Sequence, residues 1–147
     1  MIKKTIILLT AATLTIGLAP GAQAKEITKL AVTAIGANHV GGTGAMNGSA
    51  KGTFILNLKK SSLCANVKTK DLTDVKAAHI HKGAKGVDGP PFITFDILKF
   101  NSTSQNCVNV DKALLSDISK SPSMYYFNVH TKDYFAGAVR GQLGKKK

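Results

Sequence analysis

Tryptophan is absent from this chain of 147 residues, and only eight residues are acidic. Arginine occurs once, as Arg140. Each scarcity excludes something. The planar fork of arginine is the favoured tool for bidentate contacts to phosphate and base edges, so a single arginine argues against specific nucleic-acid recognition. Eight carboxylates leave little room for a paired-carboxylate glycosidase, although Asp88 and Asp96 flank one loop. No G-x-S-x-G elbow, H-E-x-x-H helix or P-loop occurs. After residue 24 there is no long apolar run, so nothing in the remaining sequence reads as membrane-spanning.

What is present begins with a leader pattern. Met1-Ile2-Lys3-Lys4 is a short basic region, "TIILLTAATLTIGLA" (5–19) is apolar, and Ala22-Gln23-Ala24 fits a small-x-small cleavage site. The pattern predicts a signal peptide over 1–24 and a mature chain from Lys25, placing the protein in the periplasm or outside the cell. No cysteine lies near the cleavage site, so lipid attachment is not expected there. The remaining residues, 25–147, suffice for one domain with its own core. The net charge of +12 drops to +10 without Lys3 and Lys4 and is almost all lysine. The expected partner is an unknown protein or an anionic envelope component, attracted loosely and screened by salt.

Export changes how the cysteines read. Cys64 and Cys107 form an even pair in an oxidising compartment and predict one disulfide, closing a loop of about 43 residues.

Apolar residues in the mature region recur mainly with period two. "ITKLAVTAI" (27–35), "TFILNLKK" (53–60), "SLCANVKTK" (62–70), "VKAAHIH" (75–81), "FITFDILKF" (92–100), "SMYYFNVHT" (123–131) and "FAGAVRGQL" (135–143) read as strands. The Gly-rich segment 36–52 reads as a long connection with room for a short strand pairing inside it, and "KGAKGVDGPP" (82–91) as a turn-forming loop. One short helix is expected, with Asp111 capping "KALLSDISK" (112–120), Leu114, Leu115 and Ile118 packing inward, and Pro122 forbidding continuation. Strands about ten residues apart with Gly-rich turns predict an all-β fold, an antiparallel sandwich or barrel.

In a strand, residues i and i+2 share a face. His79 and His81 therefore leave one face while Ala78 and Ile80 leave the other. In "YYFNVHT", Tyr126, Asn128 and His130 share a face opposite the natural core set Tyr125, Phe127 and Val129. This places His79, His81 and His130 on outer faces or around a cleft, as a candidate imidazole site for copper or zinc. The alternative is that these histidines only hydrogen-bond loops. His39, in the Gly-rich segment, is a candidate fourth ligand. Arg140, in "GAVRG", is a candidate for an internal ion pair or for holding an anion.

Two stretches together resemble the chordin-type (CHRD) domain. "AAHIHKGAKGVDGPPFITFD" (77–96) is similar to its AHIH-G and G-P block, and "YYFNVHTKDYFAGAVRGQL" (125–143) to its NVHT and RGQ block. The family residues carried over are His79, His81, Gly83, Gly89, Asn128, His130, Thr131, Gly137, Arg140 and Gly141. The resemblance covers most of 27–143 and implies that 25–147 is one compact, antiparallel Greek-key β-sandwich, immunoglobulin-like or superoxide dismutase-like, in an exported binding protein; it assigns no chemistry. Within animal chordin such domains belong to a growth-factor-sequestering protein. This chain departs in having Ala138 where an acidic residue is common, which removes a family carboxylate that would face Arg140. A more remote resemblance links "HIH", His130 and "GAVRG" to copper–zinc superoxide dismutases, whose zinc-ligand loop has no counterpart here. The functions in view are therefore a metal-binding exported module, a structural or protein-interaction module without metal, and a dismutase-like copper enzyme.

Overall fold

Strict in–out alternation builds the first three strands. In β1 (Ile27–Ile35), Leu30 and Ala34 are wholly buried and Val32 nearly so. Phe54 and Leu56 do the same in β2 (Ser49–Asn57), and Leu63, Ala65 and Val67 in β3 (Ser62–Lys70). The computed structural model describes residues 25–146, and the expected leader 1–24 lies outside them.

The chain continues through β4 (Val75–Lys82), β5 (Pro91–Thr94), β6 (Asn106–Asn109), helix α1 (Lys112–Lys120), β7 (Tyr125–Thr131), β8 (Val139–Gln142) and β9 (Gly144–Lys145). Every pairing is antiparallel, in the order β5-β4-β7-β8-β1-β2-β3-β6, with β9 beside β1. The sheet folds over on itself: Phe54 of β2 meets Phe127 of β7 at 5.5 Å between ring centroids, although two strands separate them in the order. The halves β5-β4-β7-β8 and β1-β2-β3-β6 thus face each other across one core. Connections β3 to β4, β5 to β6 and β6 to β7 cross between them, as in a Greek-key sandwich. At the open seam the Asn106 side chain spans the gap, donating from Nδ2 to the Asp96 carbonyl at 2.6 Å. The fold is all-β with one short helix.

That helix forms as its sequence dictates. The Asp111 carboxylate accepts from the Ala113 and Leu114 amides, and Leu115 and Ile118 are fully buried. Tyr125 donates to Asp117 at 2.6 Å, and Lys82 reaches the same carboxylate at 2.9 Å, tying the helix to β7 and β4. Burial, then the Asp117 carboxylate, pushes the Tyr125 phenol up to about 12.

Several segments differ from expectation. β2 begins at Ser49, inside the segment expected to be a connection, because Ser49–Gly52 finds full pairing with β1 and β3. The strand expected over 92–100 stops at Thr94, where Asp96 caps a 3₁₀ turn at Ile97–Lys99 by accepting from the Leu98 amide. The strand expected over 135–143 is confined to β8, because the chain turns at 133–137. β6, which carries Cys107, was not expected; its four residues alternate too briefly for periodicity to register, and it exists by pairing with β3. That pairing sets Cys64 opposite Cys107, and the two form a disulfide.

Candidate metal centre

β4 and β7 lie side by side, with His79 opposite Asn128, Ala77 opposite His130 and His81 opposite Tyr126. Ala78 and Ile80 point into the core, so His79 and His81 leave the outer face together, next to His130. The three residues offer ligand nitrogens within 4.8 Å of one another, and they are the sole such grouping of three or more His, Cys, Asp or Glu among the described residues. In a tetrahedral site with metal–nitrogen bonds of about 2.0–2.1 Å, ligand nitrogens stand roughly 3.3 Å apart. His79 Nδ1 and His130 Nε2 stand 3.2 Å apart in a hydrogen bond, close to that spacing.

The outer face is less open than the sequence implies. His81 is only 7% exposed, and Tyr126 and Asn128 are buried although they point away from the core. Loop 83–90 accounts for the cover on His81. Gly89 brings its carbonyl to His81 Nδ1 at 2.9 Å, and the Tyr126 hydroxyl accepts from the Gly89 amide at 3.2 Å. A side chain at Gly89 would collide with the Lys82 carbonyl, so this approach requires glycine. On the other side, Gly137, at φ +143°, lets His39 and Asn128 close in, where a Cβ would strike His39 Nε2 and Asn128 Nδ2.

Hydrogen-bond partners assign the tautomers. His81 donates from Nδ1 to Gly89, which leaves Nε2 with its lone pair; that atom is buried and has no hydrogen-bond partner. His130 donates from Nδ1 to the Phe135 carbonyl at 2.8 Å, so its Nε2 also holds a lone pair and accepts from His79. Backbone carbonyls behind two rings are the second-shell arrangement that orients imidazole ligands.

His79 and His81 titrate below the ordinary histidine value of 6.5. Burial is the main cause for both; His130 and His81 add to it for His79, while for His81 the Gly89 bond pulls the other way. The folded state thus favours neutral rings. Above about pH 6.5 folded and unfolded chains are both neutral at these positions and stability is unaffected; below it the unfolded chain takes up protons that the folded chain resists. In chelator-treated protein, the melting temperature should therefore fall as pH is lowered from 7.5 through 6.5 to 5.5. A flat profile over that window would contradict the assignment.

His39 is not part of the cluster. Its Nε2 lies 3.1 Å from the Ala136 carbonyl and its Nδ1 3.3 Å from the Thr43 hydroxyl, so both nitrogens serve the loop. Arg140 is drawn into an internal ion pair. It is 2% exposed, reaches Asp88 at 2.7 Å, and donates to the carbonyls of Ala84 and Val87. The carboxylate that meets Arg140 thus comes from loop 83–90. Asp88 drew notice in the sequence only for its place beside the loop, with nothing to link it to Arg140. Tyr126 also went unassigned. β7 lies between β4 and β8, so Tyr126 stands between His81, stacked at 4.7 Å, and the Arg140 guanidinium, at 3.5 Å.

These features define a class: an antiparallel all-β domain that gathers three imidazoles on one outer face, under a loop clasped by a buried arginine. The family model of the CHRD domain matches residues 30–143, more than half of the chain, and the chain belongs to that family. No curated protein and no solved structure matches it.

Proposed function

We propose that this CHRD domain is an exported binding module that holds copper or zinc on His79, His81 and His130. One observation carries the reading: His81 Nε2 is buried without a hydrogen-bond partner, in a cluster whose three ligand nitrogens lie within 4.8 Å. An unsatisfied buried lone pair costs about 1–3 kcal/mol, and a metal ion would satisfy it. Neutral imidazole is the ligating form, and a set of three suits either metal. Gly89 and Phe135 would keep two rings in the ligating tautomer, and the loop over His81 would restrict water. Export is supported by the leader pattern over 1–24 and by the disulfide, a bond that persists in oxidising compartments.

The test is calorimetric titration of metal-free residues 25–147 with each ion, with bound metal measured by mass spectrometry on protein from supplemented cells. One ion per chain is expected. His81→Ala removes a direct ligand and should weaken binding by more than the roughly hundred-fold that loss of an outer-shell partner can cost, and His39→Ala should leave it unchanged. Affinity should fall as pH drops below about 6.5, where protons compete. Protein that takes up neither ion would overturn the reading.

A structural or protein-interaction module is the second reading, favoured by the His79–His130 hydrogen bond, which pairs two of the ring nitrogens with each other. Equal losses of melting temperature in His79→Ala with and without added metal would support it. A dismutase-like copper enzyme needs an arginine free to guide an anion, and Arg140 is committed to loop 83–90. A null dismutase assay on copper-loaded protein would remove that reading.

A further inference from the structure

The outer face of β1-β2-β3 is built from residues that neither the core nor the histidine cluster uses. Its outward positions are Ile27, Lys29, Ala31, Thr33 and Ile35 on β1, and Ser49, Lys51, Thr53, Ile55 and Asn57 on β2. On β3 they are Ser62, Cys64, Asn66, Lys68 and Lys70. No carboxylate is among them. Among the described residues its one ion pair joins Lys70 to Asp71, at the rim, at 3.9 Å.

Two features of this face work against simple stability. Lys51 and Lys68 stand directly opposite each other, a like-charge cross-strand pair that disfavours the sheet. Ile27, Ile35 and Ile55 lie among the lysines at 52%, 39% and 37% exposure, with Ile55 directly opposite Lys29. A solvated face gains nothing from either. A bilayer interface uses both, since isoleucine enters the headgroup boundary while lysine meets anionic lipid.

We propose that the β1-β2-β3 face docks on an anionic phospholipid bilayer, with Lys29, Lys51 and Lys68 against the headgroups and Ile27, Ile35 and Ile55 at the interface. The interleaved isoleucines commit the face to a membrane over a soluble polyanion, for which lysine alone would serve. The halves of the sheet pack by their inner sides, so the β4-β7 face that carries His79, His81 and His130 lies on the other half of the sheet from the docked strands. The docking is independent of whether those histidines hold metal.

The test is sedimentation of the folded chain 25–147 with vesicles of phosphatidylcholine alone or mixed with phosphatidylglycerol, at low and high salt. Partition onto the phosphatidylglycerol vesicles is expected, weakened by salt. The pair Lys51→Gln and Lys68→Gln should reduce it about thirty-fold, from roughly five-fold per lysine. Ile27→Ser with Ile55→Ser should reduce it further while leaving binding to soluble polyphosphate unchanged. The control pair Lys112→Gln and Lys120→Gln, on α1, should bind like the wild type. All these positions are exposed, and melting curves confirm that each variant is folded. No partition onto phosphatidylglycerol vesicles at low salt would overturn the proposal, and so would equal loss in the control pair. Unchanged partition in the isoleucine variant would assign the face to soluble polyanions and overturn it equally.

Discussion

Arg140→Ala should destabilise the domain by about 3–5 kcal/mol, because the Ala84 and Val87 carbonyls lose their donor at about 1–3 kcal/mol each and the space over the Tyr126 ring is left unfilled. In a domain of this size that lowers the melting temperature by more than about 10 °C. The effect is concentrated because one side chain does several things. Its guanidinium meets Asp88 at 2.7 Å and Val87 at 2.7 Å, and also reaches Ala84 at 3.0 Å. It also lies over the Tyr126 ring at 3.5 Å, and Tyr126 stacks on His81. Arg140→Lys should not restore stability, since an ammonium can neither span those acceptors nor stack in the same way. Asp88→Asn should cost less than Arg140→Ala, because the amide oxygen still accepts from Arg140 and position 88 is 65% exposed, so water screens part of the lost charge. Chemical denaturation of the three variants checks the order. An Arg140→Ala loss no larger than that of Asp88→Asn would mean that loop 83–90 is held by other contacts.

Replacing Cys64 and Cys107 together by serine should cost about 4 kcal/mol, the chain-entropy value for a cross-link 43 residues apart. Both residues lie on the outer side of their strands, away from Leu63 and Ala65, so the core keeps its packing. The effect acts through the unfolded chain, which regains the freedom of the segment containing β4 and β5. It should also loosen β6, a four-residue edge strand paired only with β3. Denaturation of oxidised wild type against the double serine variant measures the difference. A loss below about 1 kcal/mol would mean that β3–β6 pairing already constrains the unfolded ensemble.

The sequence revealed much of the scaffold. β1, β3 and α1 follow its pattern to the residue, because long alternation and an Asp cap are local signals. Shorter elements were less legible. Four residues of β6 carry too little period to stand out, and the stop of β5 at Thr94 depends on the Asp96 cap and on Asn106 across the seam. The two-residue spacing that places His79 and His81 on one face is equally local.

Sequence alone thus determined the all-β class, the helix with its cap, the shared face of His79 and His81, and membership of the CHRD type. Those properties follow from period, turn chemistry and motif, which act over a few residues. Tertiary structure alone decided that His130 sits 3.2 Å from His79 while His39 serves the loop. It alone supplied Asp88 to Arg140 and the Gly89 carbonyl to His81. Each of those contacts joins segments from 8 to 97 residues apart, through strand order and loop closure. Such partners are chosen by packing of the whole sheet, which no local pattern encodes.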